Sequence, residues 1–266
     1  MTQQRITLRL RFLHQQVCNM APKIALITGA NGITGSAIAK YLCSHSTAEE
    51  WSKIIITSRS PLTVPFTDDR LEFIAMDFSL PAGQLVEQMQ SRCSGVTHAY
   101  FSSYVHKDDF AELNAANEKL FENFLEALTQ TSKALQNVTL QTGGKHYQVH
   151  LMPVPSPARE EEARVEAALP NFYFPQEDFL KAKAKQHGFQ WNVIRPEAII
   201  GCTHKPSKLL HAQSVVGSRW MLITSCTDFH RRRHERGAHD RHVLYRLCIP
   251  QARGGHANQP TVLGRS

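Results

Sequence analysis

The sequence predicts an α/β fold, a doubly wound parallel sheet with helices on both faces. Three observations carry that expectation. Apolar runs of strand type alternate with stretches of helical spacing between Lys23 and Pro196, the pattern of repeated βαβ units. The first run, Lys23-Ile24-Ala25-Leu26-Ile27-Thr28, leads straight into Gly29-Ala30-Asn31-Gly32-Ile33-Thr34-Gly35. Directly behind the glycines, Ile38, Ala39 and Leu42 fall on one side of a helix.

Strand, glycine turn and helix in that order give a dinucleotide-binding fingerprint its physical meaning. Gly29 lets the chain leave the strand in a tight turn. Gly32 removes a Cβ where backbone approaches a pyrophosphate, and Gly35 lets the helix pack closely on the strand. The helix N-terminus then offers N–H groups and partial positive charge to the phosphates. Asn31 and Ile33 belong to the same turn and are expected to face the cofactor. A glycine-rich surface loop with no ligand is the competing reading. The strand before the turn and the helix after it favour cofactor binding.

The remaining elements follow in chain order. Ser52-Lys53-Ile54-Ile55-Ile56-Thr57 reads as a second, buried strand ending in Ser58-Arg59-Ser60. An NAD-specific site carries an acid at this strand end for the ribose hydroxyls. Here a guanidinium and small hydroxyls stand instead, which suits a 2′-phosphate. NADPH is therefore the expected cofactor, bound in part by Ser58 and Arg59; a solvated surface Arg is the alternative. Arg70 to Phe78 predicts a third strand, with Asp77 at its end for an adenine amino group and Phe78 along the ring. Residues 80–92 predict a helix. Val96 to Ser103 predicts a fourth strand, whose terminal hydroxyls, Ser102 among them, end near a nicotinamide ribose.

Asp109 to Ser132 is the longest predicted helix, with Phe110, Leu113, Ala116, Leu120, Phe124 and Leu128 as its buried stripe. Asn137 to Gly143 predicts the fifth strand. Gly143-Gly144-Lys145-His146-Tyr147 follows at its C-terminal end, where open parallel sheets bind ligands. Pro153, Pro155 and Pro157 mark a loop, and Glu160 to Ala168 a short solvated helix. A further helix opens at Asn171 and runs to about Gln186, before a sixth strand from Phe189 to Pro196.

Composition sets the outer bounds. The 266 residues are 42% hydrophobic, enough for one large domain or two small ones with a real core. No apolar run has the length needed to span a bilayer. Six cysteines form no C-x-x-C pair, and their spacing suggests neither a metal site nor a disulfide framework. A reducing, cytoplasmic setting is expected. The net charge of +7 is local: residues 202–266 hold 11 Lys and Arg against 3 Asp and Glu, and the remainder 19 against 20. Three segments are expected: an unstructured extension at 1–20, a nucleotide-binding domain at 21–201, and a basic, mostly irregular tail at 202–266. Arg5, Arg9 and Arg11 without an acid also fit a mitochondrial transit peptide, as the minor alternative.

Several blocks together resemble the short-chain dehydrogenase/reductase superfamily, and within it the progesterone 5β-reductase/iridoid synthase group. They are Gly29 to Gly35, Thr97-His98-Ala99-Tyr100, Asn114 to Asn117, Gln141 to Tyr147, Asn171 to Asp178, and Arg195-Pro196-Glu197-Ala198-Ile199-Ile200-Gly201. The T-G-x-K-H-Y and N-F-Y-[YF]-x-x-E-D blocks are the specific part. The resemblance implies a Rossmann fold, NADPH, and hydride delivery to the β-carbon of an enone. It implies Tyr173 as the hydroxyl that holds the developing enolate and Lys145 as the ammonium that lowers the phenol pKa and holds the ribose. The superfamily's usual Tyr with Lys four residues on is absent, since Glu177 follows Tyr173 at that spacing. Phe174 stands where group members often carry a second tyrosine, and Tyr147 is the next candidate for the acid. Members of the group continue far beyond the R-P-x-x-I-x-G block. The sequence from Ser207 does not follow that pattern, so the substrate lobe is expected to be incomplete.

The tail carries Arg231-Arg232-Arg233-His234-Glu235-Arg236 and His239-Asp240-Arg241-His242. A basic run can neutralise phosphates, but no accompanying reading module is visible. A disordered or mistranslated end, for example from a retained intron or a frameshift, is the preferred reading. Three functions compete: an NADPH-dependent reductase of a small unsaturated carbonyl compound in secondary metabolism, a relative that binds NADP(H) without turnover as a scaffold or sensor, and a nucleic-acid-associated protein. The first is preferred. Its expected partner is a small-molecule substrate, with neither nucleic acid nor membrane, and a homodimer is admissible.

Overall fold

The computed structural model describes residues 21–201, except Thr63, His150, residues 155–156, residues 165–168, Glu197 and Ile200. The extension and tail expected at 1–20 and 202–266 lie outside the described residues. Among the described residues six strands, β1 (Lys23–Ile27), β2 (Trp51–Ser58), β3 (Leu71–Ala75), β4 (His98–Phe101), β5 (Asn137–Gln141) and β6 (Gln190–Ile194), form one sheet. Their order is β3-β2-β1-β4-β5-β6, and every neighbouring pair is parallel. The chain therefore winds outward from β1 to one edge, then returns to pair β4 on its other side. That reversal opens a crevice beyond the carboxyl ends of β1 and β4.

Among the described residues four helices cover the sheet: α1 (Ile33–His45), α2 (Ala82–Cys93), α3 (Phe110–Thr131) and α4 (Tyr173–His187). Side chains alternate along a strand. Leu26, Ile55, Val138 and Leu140 thus share one core with Phe121, Phe124 and Leu180 from α3 and α4. Ala25, Ile27, Ile54 and Ile56 face the opposite side, against Ala39, Leu42 and Trp51. Burial on both faces is why these strands read as unbroken apolar runs.

Two expectations need correction. The buried surface of α3 exceeds a single apolar stripe, because Asn114, Asn117 and Asn123 are buried as well. Each gives its amide to a carbonyl: Asn114 to Phe110, Asn117 to Leu113 and Val105, Asn123 to Phe78. Helices α2 and α4 both pack on α3, so more than one of its faces is covered. The short helix expected from Glu160 does not form over its described half, where residues 160–161 make only a turn. Arg164 is instead drawn to Glu177 and Asp178. No helix of the described residues is long and apolar enough to cross a membrane.

Candidate active site

The glycine turn lies at the crevice. Gly29 has a φ of 64°, the left-handed region that glycine adopts without strain. A Cβ there would also fall 2.7 Å from the Ser102 carbonyl oxygen. Ser102 stitches β4 to β1, its Oγ donating to the Thr28 carbonyl at 2.7 Å and its N–H to Thr28 Oγ1 at 3.1 Å. Gly35 is buried, and a Cβ on it would strike the Gly29 carbonyl. Gly32 caps α1 with no side-chain hydrogen bond. The first N–H groups of the helix are thus left for a ligand, next to a backbone surface cleared of side chains. That cradle fits a pyrophosphate. Asn31 is exposed beside it and Ile33 is half-buried. Gly201 returns to this turn, since a Cβ on it would lie 2.5 Å from Ile33 Cγ2.

Arg59 is exposed just beyond β2, open to a phosphate. Ser58 is buried, and its Oγ donates to the Ser60 carbonyl at 2.5 Å. Asp77 holds its own turn, accepting from Ser79 N and Oγ at 3.0 and 2.7 Å. The Phe78 ring is 3% exposed and packs edge-on to Phe124 at 5.2 Å, so its ring serves the core rather than lining the crevice.

On the other side of the crevice, β5 runs into a 3₁₀ turn, Gly144–Tyr147, that carries Lys145 exposed to solvent. Gly144 N donates to the Pro196 carbonyl at 2.9 Å, tying this turn to the end of β6. Tyr173 is the first residue of α4. A Cβ on Gly143 would lie 3.3 Å from the Tyr173 hydroxyl, which places that hydroxyl over the main chain at the end of β5. Burial pushes the phenol up to about 12, with Tyr104 adding to the rise. The direction is opposite to that of a phenol lowered by an ammonium: burial is the largest cause, and the group is a neutral O–H donor at pH 7. Tyr104, which the sequence reading did not single out, stands 49% exposed with its ring 6.2 Å from Phe172. Tyr147 is occupied elsewhere, its hydroxyl accepting from Arg195 Nη1 at 3.4 Å.

Beneath the turn lies a charge cluster that sequence reasoning also missed. Glu177 is 1% exposed. Its Oε1 accepts from Arg195 Nη2 at 2.9 Å and its Oε2 from Arg164 Nη2 at 3.1 Å. His146 Nδ1 lies 3.3 Å from Glu177 Oε1, without the alignment of a hydrogen bond. Nearby cations hold Glu177 below the usual carboxylate range despite burial. Burial, with Arg195, pushes His146 down to about 4. A histidine free in solution titrates near 6.5. The unfolded chain therefore takes up a proton before the folded one as pH falls, so stability is full above about 6.5 and is lost toward 4. We expect this one group to contribute up to ~1.4 kcal/mol per pH unit in that window. His146→Gln should flatten the wild-type slope in urea melts at stepped pH; an unchanged slope would assign it to other groups.

A parallel sheet in the 3-2-1-4-5-6 order, with an uncapped glycine turn at its switch point, defines the class: this is a Rossmann-fold protein. Within that class the chain belongs to the PRISE-like Rossmann-fold family, whose model matches residues 25–219. It is 54% identical over 185 residues to the short chain dehydrogenase gsfE of Penicillium aethiopicum, covering 70% of this chain and 49% of that protein. It is 30% identical over 191 residues to an (S)-8-oxocitronellyl enol synthase of Catharanthus roseus, covering 70% of this chain and 47% of that protein. The chain thus spans about half the length of these curated relatives. Among solved structures, a short chain dehydrogenase from Burkholderia cenocepacia in complex with NADP superposes with a TM-score of 0.51 at 14% identity, covering 82% of this chain and 86% of that one. That likeness is one of fold.

Proposed function

We propose that this chain binds NADPH and reduces the carbon–carbon double bond of an α,β-unsaturated carbonyl compound. The observation that carries the reading is the neutral Tyr173 phenol at the end of β5, across the sheet's switch point from an uncapped glycine cradle. Gly29, Gly32 and Gly35 would hold the pyrophosphate, Arg59 the 2′-phosphate, and Lys145 the nicotinamide ribose. When bound, the reduced nicotinamide supplies a hydride to the substrate β-carbon. Negative charge then gathers on the carbonyl oxygen, the Tyr173 O–H donates a hydrogen bond to it, and the α-carbon takes a proton from water to complete the reduction. A preorganised donor acts on charge present only in the transition state, so it raises the rate rather than the ground-state affinity.

The cofactor half is tested by titrating NADPH and NADH separately and following nicotinamide fluorescence. NADPH should bind more tightly. Arg59→Ala should weaken NADPH by at least about tenfold and NADH little, since charge-assisted contacts contribute roughly 1.5–3 kcal/mol. Equal affinities for the two cofactors would sink the NADPH preference. The reductase half is tested by NADPH oxidation with a panel of small enones; binding without turnover on any of them would leave only the cofactor-binding part standing.

A further inference from the structure

We infer that Asn171 is a positioning residue whose single amide links the main chains of Lys145 and Tyr173. Its Nδ2 donates to the Lys145 carbonyl at 2.8 Å, and its Oδ1 accepts from the Tyr173 N–H at 3.1 Å. A carbonyl can only accept and a backbone N–H can only donate, so these two partners dictate which way the amide points. The two arms do different jobs. The oxygen arm closes a turn of the kind Asn favours at a helix start. The nitrogen arm reaches 26 positions back along the chain, to the 3₁₀ turn that carries Lys145.

Other contacts make Asn171 well placed for this. Buried Asn114 accepts from the Phe172 N–H at 2.7 Å, and Gln176 Nε2 donates to the Asn117 carbonyl at 2.7 Å. Both bonds pin the start of α4 to α3. The 3₁₀ turn has ties of its own, among them Gly144 N to Pro196 O and Gln148 N to Lys145 O. His146 also meets Glu177 and the Phe174 ring of α4, but Asn171 bridges the main chains of Lys145 and Tyr173 directly. Small losses of alignment between groups that act together are costly in function.

The inference rests on the cofactor reading above, and its test separates the two. Asn171→Ser keeps a short acceptor for the Tyr173 N–H and removes the reach to Lys145. In the full chain it should leave the thermal midpoint near wild type and lower NADPH affinity by about tenfold, the scale of one lost hydrogen bond. Lys145→Met should weaken NADPH as well, and the double variant should bind no worse than Lys145→Met alone, since the bridge then has nothing to position. Hydrogen exchange supplies a readout without cofactor: the segment 143–148 should exchange faster in Asn171→Ser, with β1 and β4 unchanged. Wild-type NADPH affinity in Asn171→Ser, additive losses in the double variant, or unaltered exchange in 143–148 would each overturn the role of Asn171 alone. A wild-type chain that binds no NADPH would overturn the cofactor reading and this role with it.

Discussion

Tyr173→Phe is expected to lower the rate of enone reduction by about 10²–10³ while NADPH affinity stays within about twofold, the cost of deleting one donor to a developing oxyanion. The reasoning is geometric and electrostatic. The Tyr173 hydroxyl lies over Gly143 at the end of β5, and burial keeps it protonated up to about 12. A phenol so placed can donate but has no tendency to ionise near pH 7, so the pH–rate profile should show no limb from Tyr173 below about 10. Removing the oxygen leaves the ring, and with it the packing against Phe172 at 4.5 Å between ring centres. The fold should therefore survive, and the loss should appear in kcat rather than KM. A rate within threefold of wild type would move the donor elsewhere, and Tyr104 would be tested next.

Glu177→Ala is expected to cost about 3 kcal/mol of stability, at the low end of what breaking a buried ion pair costs because its partners keep some water. The Glu177 side chain is 2% exposed, whereas those of Arg195 and Arg164 are 18% and 30% exposed. Truncation leaves two guanidiniums crowded without their shared anion. It also releases four pieces at once: the start of α4, the end of β6, the turn bearing His146, and the chain at Arg164. Against a typical domain stability of roughly 5–15 kcal/mol, such a loss is large. Urea unfolding should show a lower midpoint with an unchanged slope. Asp178→Ala is the control. Its side chain is 62% exposed to solvent while it pairs with Arg164, and surface pairs contribute about 0–1 kcal/mol. Equal effects from the two substitutions would show that burial of Glu177 does not govern the energetics.

Much of the fold was legible in advance, for a reason specific to parallel sheets. A strand covered on both faces is a short apolar run, and a glycine turn between such a run and an amphipathic helix has few other structural meanings. The predicted strands at 23–28, 52–57 and 189–196 hence agree with β1, β2 and β6 to within two residues at each end. Helix α3 was visible from its apolar spacing; the structure adds the cap, the Asp109 carboxylate accepting from Glu112 N at 2.8 Å. The segment from Glu160 was misread because its charges matched a solvated helix. Arg164 in fact turns inward, and that depends on Glu177 lying 13 positions further on.

The sequence by itself determined the sheet and the glycine turn at its switch point, because each depends on neighbours along the chain. Tertiary structure decided how the site's side chains behave. It half-buried Tyr173 and so raised a phenol that the motif alone suggested would be lowered. It turned Phe78 into the core, brought Arg195, Arg164 and His146 around one carboxylate, and set Asn171 between Lys145 and Tyr173. The physical reason is that burial and charge pairing depend on distance in space, and these partners stand far apart in the chain until β5, α4 and β6 pack together.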